Sequence, residues 1–451
     1  MNPIVKISVL TGLGGCLSVF SVGAEEMLNT PPLPVSAVSD TAAPEEIAIE
    51  PTGNLLLSQA LALALTKNPS LAAFSQEIRA REAAALQANL LPNPTFGVQA
   101  SNFGNNRFKG ADGDVITLQL SQLVELGGKR AARTELAQLN QHLAGWDYEA
   151  QRMNVLTQVT QAYITVLATQ QRLLLADKLL NLAKQVVNIS AVKVRSGSVP
   201  PLEETKARVI QASAQIERQR AQQQLTASRL RLANSWGSTQ AIFKSVQGDL
   251  EAISPLPALD SLIQRITENP DLARWTTEMD QRQAFIALQK SNAIPDVTFN
   301  LGTNAYLDGN DYNLNAGFSI ALPIFNRNQG SILAAEQRLY KAQDERRNVE
   351  INTMTELQVV YQQLDTAYRE IITLRRDVIP GAESAFNAAS RGYRLGEFAF
   401  LQVLDAQRTL VRVKTQYLQA QANYHLNVAK IERLIGGALN PTSANKIGAI
   451  Q

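Results

Sequence analysis

Hydrophobic positions along this chain keep two different periods, and each period occurs twice. Phe96, Val98 and Ala100 alternate with Gly97, Gln99 and Ser101, and Ile116, Leu118 and Leu120 alternate with Thr117, Gln119 and Ser121. Further on, Val297, Phe299 and Leu301 alternate with Thr298, Asn300 and Gly302. Tyr312, Leu314, Ala316, Phe318, Ile320 and Leu322 then alternate with Asn313, Asn315, Gly317, Ser319 and Ala321. A period of two predicts strands, apolar on one side and small-polar on the other. They fall at about 95–103, 114–123, 296–306 and 312–322. Asp308-Gly309-Asn310-Asp311 is a turn sequence, and Phe103 to Gly113 reads as a longer polar loop.

Each strand pair is followed by a helical pattern of unusual length, from about Lys129 to Val194 and from about Gly330 to Arg391. Roughly 60 residues at 1.5 Å each predict rods of roughly 90 Å, far beyond ordinary globular helices. Val159, Val166, Leu173, Leu180 and Val187 repeat every seven residues, as do Leu357, Leu364, Ile371 and Val378 with Val360, Ala367 and Leu374 between them. That period implies left-handed coiled-coil packing. Pro380 is expected to bend or locally break the second rod. Arg195-Ser196-Gly197 and Gly392-Tyr393-Arg394-Leu395-Gly396 turn the chain back into shorter return helices, about 200–234 and 399–435.

The order is written twice, about 200 residues apart. Asn68-Pro69-Ser70-Leu71-Ala72 answers Asn269-Pro270-Asp271-Leu272-Ala273, and Pro92-Asn93-Pro94-Thr95-Phe96 answers Pro295-Asp296-Val297-Thr298-Phe299. Each Asn-Pro places an N-cap before a first-turn proline, and Ser58 and Asp260 are expected to cap the preceding helices. The expected organisation is a signal peptide (1–24), a Pro-rich flexible segment (25–54), a first repeat (55–257), a second repeat (258–437) and a tail (438–451).

Composition changes this picture in two ways. The net charge of +2, from 42 basic and 40 acidic residues, gives no concentrated basic face, which argues against nucleic acid as a partner. The chain also opens like an exported one: Lys6, an apolar run from Ile7 to Phe20, and Val22-Gly23-Ala24 before Glu25-Glu26. Leu13-Gly14-Gly15-Cys16 offers the rival reading of a lipidated Cys16, against which stands the apolar run Leu17 to Val22. No later stretch reaches about 20 apolar residues, so no membrane helix is expected. The strands could equally line a soluble sheet, but in an exported chain they fit a membrane barrel. Four strands cannot close one, and an open edge in lipid is prohibitive, so several chains must contribute.

With these features the chain resembles a TolC-type outer-membrane factor from about Leu55 to Gly437. The carriers are the doubled plan of helix, hairpin, long helix, tip and return helix, together with Arg394-Leu395-Gly396-Glu397-Phe398 and Leu401-Gln402-Val403-Leu404-Asp405-Ala406-Gln407. Val124-Glu125-Leu126-Gly127-Gly128-Lys129-Arg130 and Ser198-Val199-Pro200-Pro201-Leu202-Glu203-Glu204 are similar to the CzcC-like branch, which serves heavy-metal efflux. The resemblance implies a mainly α chain with a pair of membrane β-hairpins. Three copies would form a homotrimer with a twelve-stranded barrel in outer-membrane lipid and a twelve-helix tunnel reaching into the periplasm. It also implies a periplasmic adaptor (a membrane fusion protein) and an inner-membrane RND pump as partners, with no cofactor and no chemistry in the channel. The cargo would be divalent cations of the Co, Zn, Cd and Ni class. The alternatives are the same duct for multidrug efflux or type I secretion, or a periplasmic coiled-coil scaffold without a pore.

The resemblance places Asp405 at a tip aspartate that lines the constriction. Gln402 stands where the family often carries a second acid, and Glu203, with Glu204 beside it, takes the matching place in the first copy. A threefold ring of carboxylates concentrates cations and repels itself when closed. Acids in a first helical turn are favoured by the helix dipole in any case, which applies to Glu203 and Glu204. Arg195, Gly197, Tyr393, Arg394 and Gly396 are the candidates for tips that meet the adaptor. Gly127 and Gly128 are read as a strand-to-helix hinge; Gly127-Gly128-Lys129 lacks the spacing of a phosphate loop. Two histidines, His142 and His425, lie far apart and predict no metal site, and no catalytic triad or HExxH pattern appears.

Overall fold

Asn68 and Asn269 each close one repeat on itself. In the computed structural model, which describes residues 50–101, 115–306 and 311–439, Asn68 Oδ1 accepts from the N–H groups of Ser70 and Leu71, and its Nδ2 donates to Ser235 O at 2.7 Å. Asn269 does the same in the second copy: Oδ1 accepts from Asp271 N, and Nδ2 donates to Leu434 O at 3.1 Å. One side chain thus caps the helix that starts a repeat and holds the end of that repeat's return helix. The expected export segment with Cys16, most of the Pro-rich arm, the loop at 103–113, most of the 308–311 turn and most of the tail lie outside the described residues.

The first copy runs β1 (Asn54–Leu55), α1 (Leu57–Lys67), α2 (Pro69–Ala88), β2 (Thr95–Ser101), β3 (Val115–Val124), α3 (Lys129–Arg195) and α4 (Pro201–Asn234). A linker carries β4 (Ser245–Val246), which pairs in parallel with β1. The second copy runs α5 (Leu259–Arg265), α6 (Pro270–Ser291), β5 (Val297–Tyr306), β6 (Asp311–Ile320), α7 (Gln329–Thr373), α8 (Ile379–Leu395) and α9 (Phe400–Leu434). Ser58 and Asp260 do not cap: α1 begins after Leu56 and α5 after Ala258, so both residues sit inside the first turn. For α1, Gln59 Oε1 accepts the Leu56 N–H at 3.0 Å, which leaves Ser58 no capping task.

The four longer strands form one antiparallel sheet in the order β2-β3-β5-β6. Its register aligns like with like: Phe96, Leu120, Leu301 and Ala316 form one row, and Gln99, Thr117, Asn304 and Asn313 form another on the opposite face. The apolar face is bare, with Phe96, Leu314 and Phe318 all about 70–80% exposed. The polar face is knitted by carboxamides: Thr117 donates to Asn304 and Gln119 to Asn300, each at 2.9 Å. Among the described residues neither edge strand, β2 or β6, has a partner on its outer side.

α3 is 67 residues, about 100 Å at 1.5 Å per residue. No described helix is long and apolar enough to cross a membrane. Val159, Val166, Leu180 and Val187 of the first heptad are buried, as are Leu357, Leu364 and Ile371 of the second. The second series then breaks. Leu374–Val378 is a π-helical turn, and Val378 is exposed. Beyond it the buried hydrophobic side chains are Ala382, Phe386, Ala389 and Tyr393, each one residue later than a continuous heptad would place it. A π turn inserts one residue, and Pro380, whose nitrogen carries no hydrogen, lies just after it.

Phenols pin the linker between the copies. Tyr163 Oη donates to Gln247 O at 2.5 Å, Tyr424 Oη to Ser254 O at 2.8 Å, and Tyr361 Oη to Pro257 O at 3.0 Å. Burial pushes the Tyr163 phenol up to about 12.

Candidate functional site

Both long rods end in the same way. At the first tip Gly197 takes φ +70, and Ser198 N–H reaches back to Lys193 O at 2.9 Å. At the second, Gly396 takes φ +86, and Glu397 N–H reaches back to Gly392 O at 2.8 Å. These are left-handed glycine caps that satisfy the last carbonyls of each helix. Arg195 and Arg394 flank the glycines, exposed and without an ion pair among the described residues.

The two tips are joined through Tyr393. It is buried, and its Oη donates to Glu203 Oε2 at 2.9 Å, so α8 is tied to the first turn of α4. Ser190 Oγ of α3 lies 3.4 Å from the same hydroxyl, and the Phe400 ring of α9 is 5.5 Å away, centroid to centroid. Lys193 donates to the Tyr393 carbonyl and sits 4.3 Å from the ring centroid. Burial raises the phenol's pKa. Four helices therefore meet on one side chain. Gly392 and Phe398 complete the tip: a Cβ on Gly392 would lie 2.4 Å from the Phe398 ring. The order Gly392, Gly396, Phe398 carries that signal, but a single sequence gives it no contact to explain.

The candidate acids separate. Glu203 is half-buried and engaged with Tyr393. Glu204 accepts from Arg208 at 2.6 Å, an i,i+4 pair within α4. Asp405 and Gln402 are exposed, three residues apart on α9, and line one cleft together with Ala382, Ala385 and Ala389 of α8. Asp405 has no ion pair among the described residues.

Gly127 and Gly128 form the corner between β3 and α3, with φ +69 and +72. A Cβ on Gly127 would lie 2.6 Å from Ile294, whereas Gly128 has open space around it. The corner is braced by charge. Buried Lys129 donates to Asp296 Oδ1 at 2.6 Å, and the Leu126 N–H reaches the same oxygen at 3.0 Å. Arg133 grips Glu125 with two bonds of 2.6 and 3.1 Å, and it also donates to the Ala88 and Leu90 carbonyls. The Arg133 hydrogen bond holds the Glu125 carboxyl below the usual carboxylate range. In the second copy Asn328 takes the left-handed place before α7, with φ 59.

Among the described residues no group of three or more His, Cys, Asp or Glu side chains is placed to hold a metal ion. His142 stands exposed on α3. His425 points its Nε2 at Leu250 O, 3.1 Å away, and burial lowers its pKa.

The family model described as outer membrane efflux protein matches the chain twice, over residues 60–238 and 262–437. The cobalt-zinc-cadmium resistance protein CzcC of Cupriavidus metallidurans is 34% identical over 387 residues, covering 86% of this chain and 91% of that protein. The pyoverdine export outer membrane protein OpmQ of Pseudomonas putida is 25% identical over 84% of this chain and 86% of that one. Among solved structures, the outer-membrane channel OprN superposes with a TM-score of 0.74 at 19% identity, over 85% of this chain and 91% of that chain.

Proposed function

The chain belongs to the outer membrane efflux protein family, and from that premise we propose that it carries divalent heavy-metal cations of the Co, Zn, Cd and Ni class across the periplasm and outer membrane. Energy comes from an inner-membrane RND pump coupled through a periplasmic adaptor; the channel itself is a passive duct. The observation that carries the choice of cargo is the 34% identity to CzcC over 91% of its length, against 25% to OpmQ.

The sheet supports a homotrimer. It has two open edges and a bare apolar face, and in lipid its unpaired backbone must find partners. Three copies supply twelve strands, and their polar faces then line a lumen of carboxamides and hydroxyls. At the other end Asp405 is the gate carboxylate of this reading, repeated three times around the axis, and the Tyr393–Glu203 bond holds the resting tip. Arg195, Gly197, Arg394 and Gly396 present the turns to the adaptor.

A strain lacking this protein, with its pump and adaptor intact and no redundant channel, tests the cargo. The expected result is sensitivity confined to divalent metals. Sensitivity to dyes, antibiotics or a siderophore block, with metal tolerance unchanged, would overturn the cargo and leave the duct. For the gate, Asp405→Asn in the reconstituted channel should weaken its preference for cations. An unchanged reversal potential in a salt gradient removes Asp405 from the gate.

A further inference from the structure

The lower part of the second rod offers two seams and uses one. Carried past the π turn, the heptad of Leu357, Leu364 and Ile371 would bury Val378, Gly381, Ala385 and Ala388. All four are exposed. Gly392, the next in that series, is buried against the Phe398 ring. The seam in use is Ala382, Phe386, Ala389 and Tyr393, which share one buried cluster with Val187 of α3 and with Val403 and Leu404 of α9. It carries both aromatic rings of α8, whereas the unused seam below Val378 holds only glycine and alanine.

The π turn selects between them. Ile379 N–H bonds Leu374 O, five residues back, where an α-helix would use Arg375 O. Converting this turn to α removes one residue of phase and rotates everything below it by about 100°. Pro380, next in line, has no N–H, so it donates in neither arrangement and one bond fewer has to be exchanged. Arg375, Arg376 and Asp377 are exposed, so three of the five side chains of the turn have no packing to lose.

We propose that the π turn is a two-position phase switch for the tip. In the resting position it turns Tyr393 into the junction with Ser190, Glu203 and Phe400. When the turn resolves to α, α8 rotates about its own axis, Val378, Gly381, Ala385 and Ala388 take the seam, and Tyr393 is carried away from Glu203. Phe386 leaves the core in the same movement, which makes the resting position the stable one. Glu383, bound to Lys414 of α9 at 2.7 Å, lets go with it. A bend at Pro380 would part the tips without changing what Val378 meets; the rotation buries Val378. The inference rests on the reading of the tip as the gate and does not depend on the cargo.

The test uses the purified full-length protein in a planar bilayer, scored for the frequency of full openings under applied voltage, with the melting temperature of each variant beside it. Deleting Asp377 lets a continuous α-helix carry Phe386 and Tyr393 into the seam they already occupy and leaves no second position. That chain should keep the parent's melting temperature and open at least about tenfold less often. Val378→Asp is exposed at rest and buried in the second position, so it should also keep the melting temperature and lower the opening frequency by about tenfold or more. Val378→Asp decides alone if the deletion chain folds poorly. Variants that open as often as a conducting parent overturn the switch and leave the gate reading standing, since a simple bend would then suffice. A parent that never opens overturns the gate reading and the switch with it.

Discussion

The phenol of Tyr393 donates a 2.9 Å hydrogen bond to the carboxylate of Glu203, a residue 190 positions earlier in the chain. The bond spans the two copies at the far end of the rods. Under the proposed gate, separating α8 from α4 at the tip would break it. Because Glu203 is only half-buried, the bond is worth about 1 kcal/mol after solvent competition, roughly fivefold in a closed-to-open ratio. Tyr393→Phe keeps the ring packing against Phe400 and removes the donor. Its resting conductance in a planar bilayer should therefore rise several-fold. Glu203→Gln, which keeps an acceptor oxygen, should change it less. A Tyr393→Phe channel with the parent's closed-state conductance would mean that the bond is not part of the closure.

The corner at Gly127-Gly128 separates two kinds of glycine. Gly127 needs both its left-handed backbone and the space that Ile294 occupies, 2.6 Å from where a Cβ would stand. Gly128 needs only the backbone. The second copy fills the corresponding place before its long rod with Asn328 at φ 59, so a side chain that tolerates this region is already in use there. Gly127→Ala should lower stability by on the order of 2 kcal/mol or more, because strain and clash add. Gly128→Asn should stay within about 0.5 kcal/mol. Melting temperatures of the two purified variants would rank them, and equal losses would refute the distinction.

Phase along the second rod tests what the sequence could and could not say. Leu357, Leu364 and Ile371 announce a coiled-coil seam, and all three are buried. Pro380 announces a break. The direction in which the register moves across that break is invisible, because a π insertion depends on which side chains the neighbouring helix receives. A continuous heptad puts Val378 in the seam, and the structure puts it outside. The partner of Tyr393 was equally hidden, since pairs such as Tyr393–Glu203 and Lys129–Asp296 join residues more than a hundred positions apart. The Glu204–Arg208 pair is by contrast local, four residues apart on one helix. The doubled order of elements and the alternation of the strands were the readable part, because both are local patterns repeated at fixed spacing. The shifted phase gives opposite expectations for two residues. Phe386→Ala should destabilise the rod by about 3 kcal/mol or more, and Val378→Ser should be close to neutral. Urea denaturation of the two variants decides it; a large loss for Val378→Ser would restore the continuous heptad.

Glu432 supplies a pH test of the far end of α9. Its Oε1 accepts the Leu439 N–H at 3.0 Å, and burial, the largest influence, raises its pKa above the ordinary 4.5. The folded chain thus holds this proton over a range in which the unfolded chain has released it. Stability from Glu432 is fully present below the unfolded value and is lost as pH rises through the raised folded value. Glutamine keeps an oxygen for Leu439 and cannot ionise, so Glu432→Gln should melt higher than the parent at pH 8. The gain should shrink to nothing as pH falls below 4.5. His425 acts in the other direction: its lowered pKa removes stability as pH falls below its ordinary 6.5. Both chains carry His425, so the difference between their melting curves cancels it and isolates the carboxyl. A Glu432→Gln chain that melts lower than the parent at pH 8 would show that the charged form is the one the fold prefers, with the nearby Arg265 outweighing burial.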